Sequence, residues 1–244
     1  DMNAIKAVIP DHVKVLEDAA CAAGASYKGK WAGTLGDAAS FSFHPRKSIT
    51  TGEGGMITTH DGKLAEHMNQ MRNHGASISE EQRHHGPKPY ILPDFNLLGF
   101  NYRMTDLQGA IGIEQLTRLD EFINERAKWA GYYNEKLADI RWLRLPAEPE
   151  NGNHGWQSYV TYCDPKTAPA PRNKIMELLQ EQGIATRPGT HAVHMLGLYK
   201  EKFGIEANDF PNAQNCNNNT MAIPLHNRMT LEDYEYIVET LHAL

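Results

Sequence analysis

The stretch Ser42–Met56, "SFHPRKSITTGEGGM", sets one lysine, Lys47, between an apolar run and a glycine cluster that leads into another apolar run. Glycines beside a Lys-Ser pair invite a phosphate loop. The spacing rejects it, because a Walker loop has glycine directly before the lysine and again five residues earlier, where this chain has Arg46 and Phe41. A dinucleotide fingerprint starting at Gly52 also fails, since its third glycine would fall on Ile57. Lys47 therefore serves some other purpose.

The flanks give Lys47 its setting. "AASFSFH" (Ala38–His44) alternates like a strand, and "GGMITT" (Gly54–Thr59) reads as a strand that returns, so Lys47 lies on a connection between strands. Upstream, Val13, Val15 and Leu16 form an apolar run that stops at Glu17-Asp18, which reads as an interior strand with acids at its carboxyl end. Ligands of open α/β sheets sit at that end. The first residues read as a helix ahead of this strand, and the chain is expected to begin inside a domain.

Downstream, residues 61–73 are predicted helical, and His74–Phe95, containing "HHGPKP", is a polar loop without periodicity. Thr105 and Gln108 form a capping box for one long helix or two in tandem, with Leu107, Ile111, Leu116, Leu119, Phe122 and Ile123 at roughly helical spacing. Beyond Pro146 come a strand, "QSYVTYC", a helix from about Pro171 ending at Gly183, and a capped helix, Thr230–His242. "NAQNCNNN" is a turn or a helix start. The expected organisation is α/β, with a large domain over 1–125 and a smaller α+β domain over 126–244.

Composition narrows the function. The 244 residues are 41% hydrophobic and 22% charged, enough to build a core. Twenty-four basic against thirty acidic residues give a net charge of -6, and no basic stripe stands out, which argues against nucleic acid. No apolar run approaches the roughly 20 residues of a membrane span, and nothing resembles a signal peptide, so the expected compartment is the cytoplasm. Cys21, Cys163 and Cys216 are widely spaced with no CxxC pair, and read as reduced thiols.

Asp18, Ser42 and Lys47 each have a plain reading, as a turn former, a solvated hydroxyl and a surface charge. Together they supply what pyridoxal phosphate (PLP) needs: an acid for the ring nitrogen, a donor for the phosphate and an amine for the aldehyde. "VLEDAACAAGA", "SFSFHPRKSITTGEGGMITT", "GFNYRMTDLQGAIGIEQL" and "QSYV", in this order, resemble the DegT/DnrJ/EryC1/StrS family of sugar aminotransferases, which have the fold type I PLP architecture. The likeness runs the length of the chain, but the segments that in the family precede the aspartate, with part of the phosphate cup, have no counterpart, so a large domain lacking its N-terminal part is expected.

The resemblance implies that Lys47 carries the cofactor covalently, Asp18 pairs with the pyridinium nitrogen, and Ser42 contacts the phosphate. Asn101 would reach the cofactor of a neighbouring subunit, implying a homodimer with a shared site. Arg103 is a candidate for the substrate phosphate or a structural ion pair, and His194 for a sugar contact. Cys21 stands near the ring where the family commonly has Gln or His. His191 and His194 are three residues apart with no evident third ligand, so no metal is expected; His84 and His85 are given no role. The implied activity is amino transfer, with glutamate as the expected donor, to a nucleotide-linked keto-deoxysugar. Lys47 argues against the dehydratase branch, which has histidine there. A non-catalytic binding or regulatory protein on the same scaffold is the alternative.

Overall fold

A computed structural model describes residues 1–78, 82, 85–86, 88 and 90–244. His84 lies outside the described residues. Two compact units divide the chain: Asp1–Asp120 with Glu150–Gly155, and Glu121–Pro149 with Trp156–Leu244.

The first unit opens with α1 (Met2–Val8), whose free N-terminal amides are capped by Asp1, its carboxylate accepting from the Ala4 N–H at 3.0 Å. After β1 (Leu16–Asp18) come two dipeptide strands, β2 (Ser26–Tyr27) and β3 (Lys30–Trp31). The main sheet then adds β4 (Ala38–Ser42) and β5 (Gly55–Thr59) in the order β1-β4-β5. β1 and β4 run parallel, with Asp18 opposite Ser40, and β5 returns antiparallel with Gly55 opposite Ser42. The predicted strands are therefore present, each trimmed by one or two residues where the lysine loop begins. α2 (Gly62–Met71) starts at Asp61, which accepts from the Lys63 and Leu64 amides.

The sequence pattern of β1 calls for an interior strand, and here the structure differs. Among the described residues β1 has one neighbour, and Leu16 is 71% exposed. Burial of a strand needs a partner on each edge and a layer on each face, and within these residues β1 has one pairing edge only. The expected capped helix is present. Thr105 caps α3 (Asp106–Thr117) with the reciprocal Gln108 box, and α4 (Leu119–Lys136) follows after Arg118, so the pair of helices is in tandem. In the stretch from His74 to Phe95 the described ends pair through an Ala76–Phe95 bridge.

The second unit is built on an antiparallel sheet. β6 (Leu143–Arg144) leads into the segment that carries β7 (Gly152–Asn153), which pairs with β2 in the first unit's small sheet. β8 (Tyr159–Cys163) buries Tyr159, Thr161 and Cys163 alternately, as a period of two requires. After α5 (Arg172–Glu181) and β9 (Arg187–Pro188) come two short helices, α6 (Gly197–Phe203) and α7 (Pro211–Asn219). β10 (Thr220–Ile223) and α8 (Leu231–His242) complete the chain. The sheet order is β6-β8-β10-β9.

An aromatic and aliphatic core fills this unit. Tyr133, Leu137, Tyr159, Ile175, Leu179 and Tyr234 have no exposed surface. Tyr133 keeps its hydroxyl satisfied by donating to the Pro224 carbonyl at 2.9 Å. Arg126 lies in the same interior with its guanidinium spread over Asn227 and the carbonyls of Trp156 and Leu225. Its burial lowers its pKa, and those oxygens offset the cost of the buried charge. Among the described residues no helix is long and apolar enough to cross a membrane.

The last helix ends on a titratable contact. His242 faces the Val238 carbonyl with Nδ1 at 2.9 Å and Asp139 Oδ1 with Nε2 at 3.0 Å. Neither the carbonyl nor an ionised carboxylate can donate, so both contacts are hydrogen bonds only while both ring nitrogens carry protons. The carbonyl and then the carboxylate raise the imidazole above its ordinary 6.5, and the hydrogen bond from His242 holds Asp139 below its ordinary 3.8. The histidine's contribution is complete below 6.5 and is lost as pH rises through its raised value; the aspartate's is lost as pH falls through its depressed one. His242→Gln should therefore lower Tm most between those limits, and the melting curves of the two proteins should converge at alkaline pH.

Candidate active site

The parallel β1–β4 pair puts two acidic side chains and one hydroxyl at neighbouring strand ends. Alternation along β1 sends Glu17 and Asp18 to opposite faces. Glu17 accepts from the Leu35 and Gly36 amides, both at 2.6 Å, and from Gly33 at 2.8 Å. It is the fastener of the 33–36 loop. Asp18, on the other face, accepts one hydrogen bond, from the Ala20 amide at 3.1 Å, through Oδ1. Its Oδ2 has no partner among the described residues, and the side chain is exposed. Ser42, at the end of β4, receives the His44 amide at 3.4 Å.

Lys47 sits in a loop that folds tightly on itself. The Lys47 amide donates to the His44 carbonyl at 2.9 Å, Thr51 donates to the Phe43 carbonyl at 3.0 Å, and Phe43 donates to that of Gly54 at 2.8 Å. Ser48, Ile49 and Thr51 are buried and root the loop, and Lys47 itself is half-buried. Its Nζ lies 2.9 Å from Cys21 Sγ. The loop lysine is thus turned back over the chain that leaves β1, three residues past Asp18. A thiol can accept from an ammonium group or donate weakly to a neutral amine.

The sequence did not point to what holds this loop in place. Helix α3 presents Gln108, Gly112 and Gln115, spaced i, i+4, i+7 on one face. Gln115 Oε1 accepts the Thr50 amide at 3.3 Å. Gln108 works from both ends: Oε1 accepts the Thr105 amide at 2.9 Å to close the helix cap, and Nε2 donates to the Glu53 carbonyl at 2.9 Å. A Cβ at Gly112 would stand 3.0 Å from Thr51 Cγ2, so the glycine lets helix and loop approach. Two glutamines seven apart with a glycine between them were the available signal.

The other candidates lie elsewhere. Asn101 is exposed and bridges to Asn73, and Arg103 Nη1 donates to Asn73 Oδ1 at 2.8 Å, a hydrogen bond to a neutral amide rather than an ion pair. In the second unit, His194 is 7% exposed, with Nε2 3.1 Å from the Ala207 carbonyl and its ring against Phe210. A sugar contact through Nε2 would have to displace that carbonyl. His191 is exposed, and among the described residues no three of His, Cys, Asp and Glu gather as a metal site.

The donor set around Lys47 suits pyridoxal phosphate: one primary amine, one carboxylate with an open oxygen, and one hydroxyl at adjoining strand ends. Gln115→Leu removes the acceptor of the Thr50 amide and should cost about 1 kcal/mol. Amide exchange measured through residues 50–53 should speed up, while exchange in α8 stays unchanged.

With this geometry in view, comparison with known proteins is direct. The sequence profile of the DegT/DnrJ/EryC1/StrS aminotransferase family matches residues 1–242. The chain is 36% identical to the spore coat polysaccharide biosynthesis protein SpsC of Bacillus subtilis, covering 100% of this chain and 63% of that protein. It is also 36% identical to the GDP-perosamine synthase of Caulobacter vibrioides, covering 99% of this chain and 62% of that one. The crystal structure of the aminotransferase from Psychrobacter cryohalolentis superposes with a TM-score of 0.89 at 25% identity, over 99% of this chain and 64% of that one. The aminotransferase TlmJ from Streptoalloteichus hindustanus gives 0.81 at 26%, over 95% and 58%. The chain thus spans less than two thirds of the relatives it matches, and its fold is that portion of the sugar aminotransferase architecture. By sequence and by fold, the chain belongs to the DegT/DnrJ/EryC1/StrS aminotransferase family.

Proposed function

We propose that this chain forms part of a PLP-dependent aminotransferase that moves an amino group from an amino acid, glutamate in the first instance, onto a nucleotide-linked keto sugar. Residues 1–125 would belong to the cofactor-binding domain and 126–244 to the smaller one. The observation that carries this is the return of the Lys47 amine to within 2.9 Å of Cys21, beside the strand end that bears Asp18. Names of relatives agree with it, one being a GDP-perosamine synthase.

When bound, pyridoxal phosphate supplies an electron sink conjugated to the substrate nitrogen, which allows a neighbouring C–H proton to leave. The chain's residues would do the rest. Lys47 Nζ would take that proton and return it to the carbon on the other side of that nitrogen, acting as base and then acid. Asp18, through its open Oδ2, holds a proton on the ring nitrogen by accepting its hydrogen bond. The Ser42 hydroxyl donates to the phosphate. Cys21, in hydrogen-bond reach of the amine, would limit where Nζ can swing.

A second copy completes the site in this reading, with Asn101 extending toward its neighbour's phosphate. Leu98, Tyr102 and Leu107 are 89%, 71% and 80% exposed around Asn101 and at the start of α3. Apolar exposure of this kind in a small area is characteristic of an interface.

The test is a transamination assay with glutamate and a panel of nucleotide-linked keto sugars, beside an absorbance measurement of protein mixed with PLP. A visible band bleached by borohydride is expected, absent in Lys47→Ala. Activity should fall by about 10²–10⁴-fold or more in Lys47→Ala, and also fall in Asp18→Asn. A band that survives in Lys47→Ala, or a chain that never takes up PLP, would favour a binding role on the same scaffold.

A further inference from the structure

Lys47 and Cys21 are two nucleophiles in direct contact, Nζ to Sγ at 2.9 Å, and they come from segments 26 residues apart. Each is held from its own side. On the lysine side, Ser48, Ile49 and Thr51 are buried, and Gln115 binds the Thr50 amide. On the cysteine side, the chain turns as it leaves β1: the Ala19 amide donates to the Ser40 carbonyl and the Ala22 amide to that of Ala19, both at 2.9 Å. Cys21 is the third residue of that turn, and the first, Ala19, is 2% exposed and tied to β4. With both backbones rooted, the flexible four-carbon stem of the lysine is what closes the remaining gap between nitrogen and sulfur.

The other two cysteines lack this setting. Cys163 is 1% exposed, and burial pushes its thiol up to about 11, which keeps it from the thiolate form that oxidants attack. Cys216 is exposed on α7; the Thr220 hydroxyl donates to its carbonyl, and among the described residues no amine bonds to its sulfur. Cys21 alone of the three joins an exposed thiol to an amine that can accept its proton and then bond to its sulfur.

We infer that Cys21 and Lys47 are a site of reversible oxidative modification, linked by a sulfur–nitrogen bond when a small hydroperoxide reaches the pair. The link rests on the contact between the two side chains; that it would switch off an aminotransferase rests on the function proposed above.

Two steps make the bond. The Cys21 sulfur, as thiolate, attacks one peroxide oxygen; the O–O bond breaks, the sulfur is oxidised to the sulfenic acid, and the other oxygen leaves as water with the thiol proton. The neutral Lys47 amine then attacks that sulfur; the S–N bond forms, the S–O bond breaks, and the hydroxyl leaves as water with an amine proton. The chain loses two hydrogens in all, and one peroxide becomes two waters. A dithiol reverses the link by attacking the Cys21 sulfur, releasing the amine and closing to its own disulfide.

Intact mass and peptide mapping test this on the chain prepared without added PLP and treated with a slight excess of hydrogen peroxide. The expected result is a mass lower by two hydrogens, carried by one linked peptide that contains both residues, and restored by dithiothreitol. Cys21→Ser and Lys47→Arg should each abolish the linked peptide, and in Lys47→Arg the Cys21 sulfur should gain oxygen instead. Cys216 should gain oxygen only, in every variant. If a variant does not fold, the map of the unaltered chain decides. A Cys21 that only gains oxygen there, or that links to another cysteine, overturns the inference, as does a linked peptide that survives dithiothreitol. Prior incubation with PLP should suppress the link, because an amine engaged by the cofactor is not free to attack. A link that forms equally with and without PLP would count against the proposed function and leave the modification site standing.

Discussion

The parallel pairing of β1 with β4 is the constraint from which the active-site geometry follows. With Asp18 opposite Ser40, both strands end at the same edge, and each must leave the sheet in a connection above it. One connection carries Cys21, and the other carries Lys47. Because β4 continues into β5 as an antiparallel return, the lysine loop closes on its own base through hydrogen bonds at Phe43, and Lys47 has few places to go. A slip of one residue between β1 and β4 would exchange the faces of Glu17 and Asp18. The carboxylate that now fastens the 33–36 loop would then stand where the open one does.

The two units hold themselves together in different ways. The second has an aromatic interior in which Trp129 stacks on Tyr234 at 4.1 Å, and Tyr133 and Tyr159 are enclosed. Its polar groups inside, such as Arg126 and Thr161, are tied to carbonyls. The first unit relies more on side chains that bond to loop backbone: Glu17 to three amides, Asp37 to the Val15 amide, Thr58 to the Gly33 carbonyl. Such contacts define loop positions well, and loop positions are what a ligand site needs.

Much of this was legible in the sequence because the signals were local. The alternation in "QSYVTYC", the box from Thr105 to Gln108 and the glycine at 183 each specify an element within a few residues, and each element formed. Lys47 and Asp18 could be singled out because a strand end and a strand connection are positions readable from patterning. What escaped depends on contacts between distant segments. Gln115 meets Thr50 across 65 residues, and no periodicity announces it. The apolar run at β1 states what a strand could pack against, not what adjoins it among the described residues. Arg103, offered by the resemblance for the substrate phosphate or a structural ion pair, bonds to the amide of Asn73, 30 residues away, a partner no local pattern shows.

Gln108 joins two structures through the two atoms of one carboxamide, its oxygen closing the cap of α3 and its nitrogen tethering the lysine loop at Glu53. Hydrolytic ageing of that carboxamide, a known weakness of glutamine at high temperature, would swap the nitrogen for a second oxygen. The cap would survive, since glutamate serves it equally well. The tether would turn into two acceptors facing each other, so an old or heat-stressed sample would keep its helix content while the lysine loop lost its anchor at Glu53 and kept the one at Thr50.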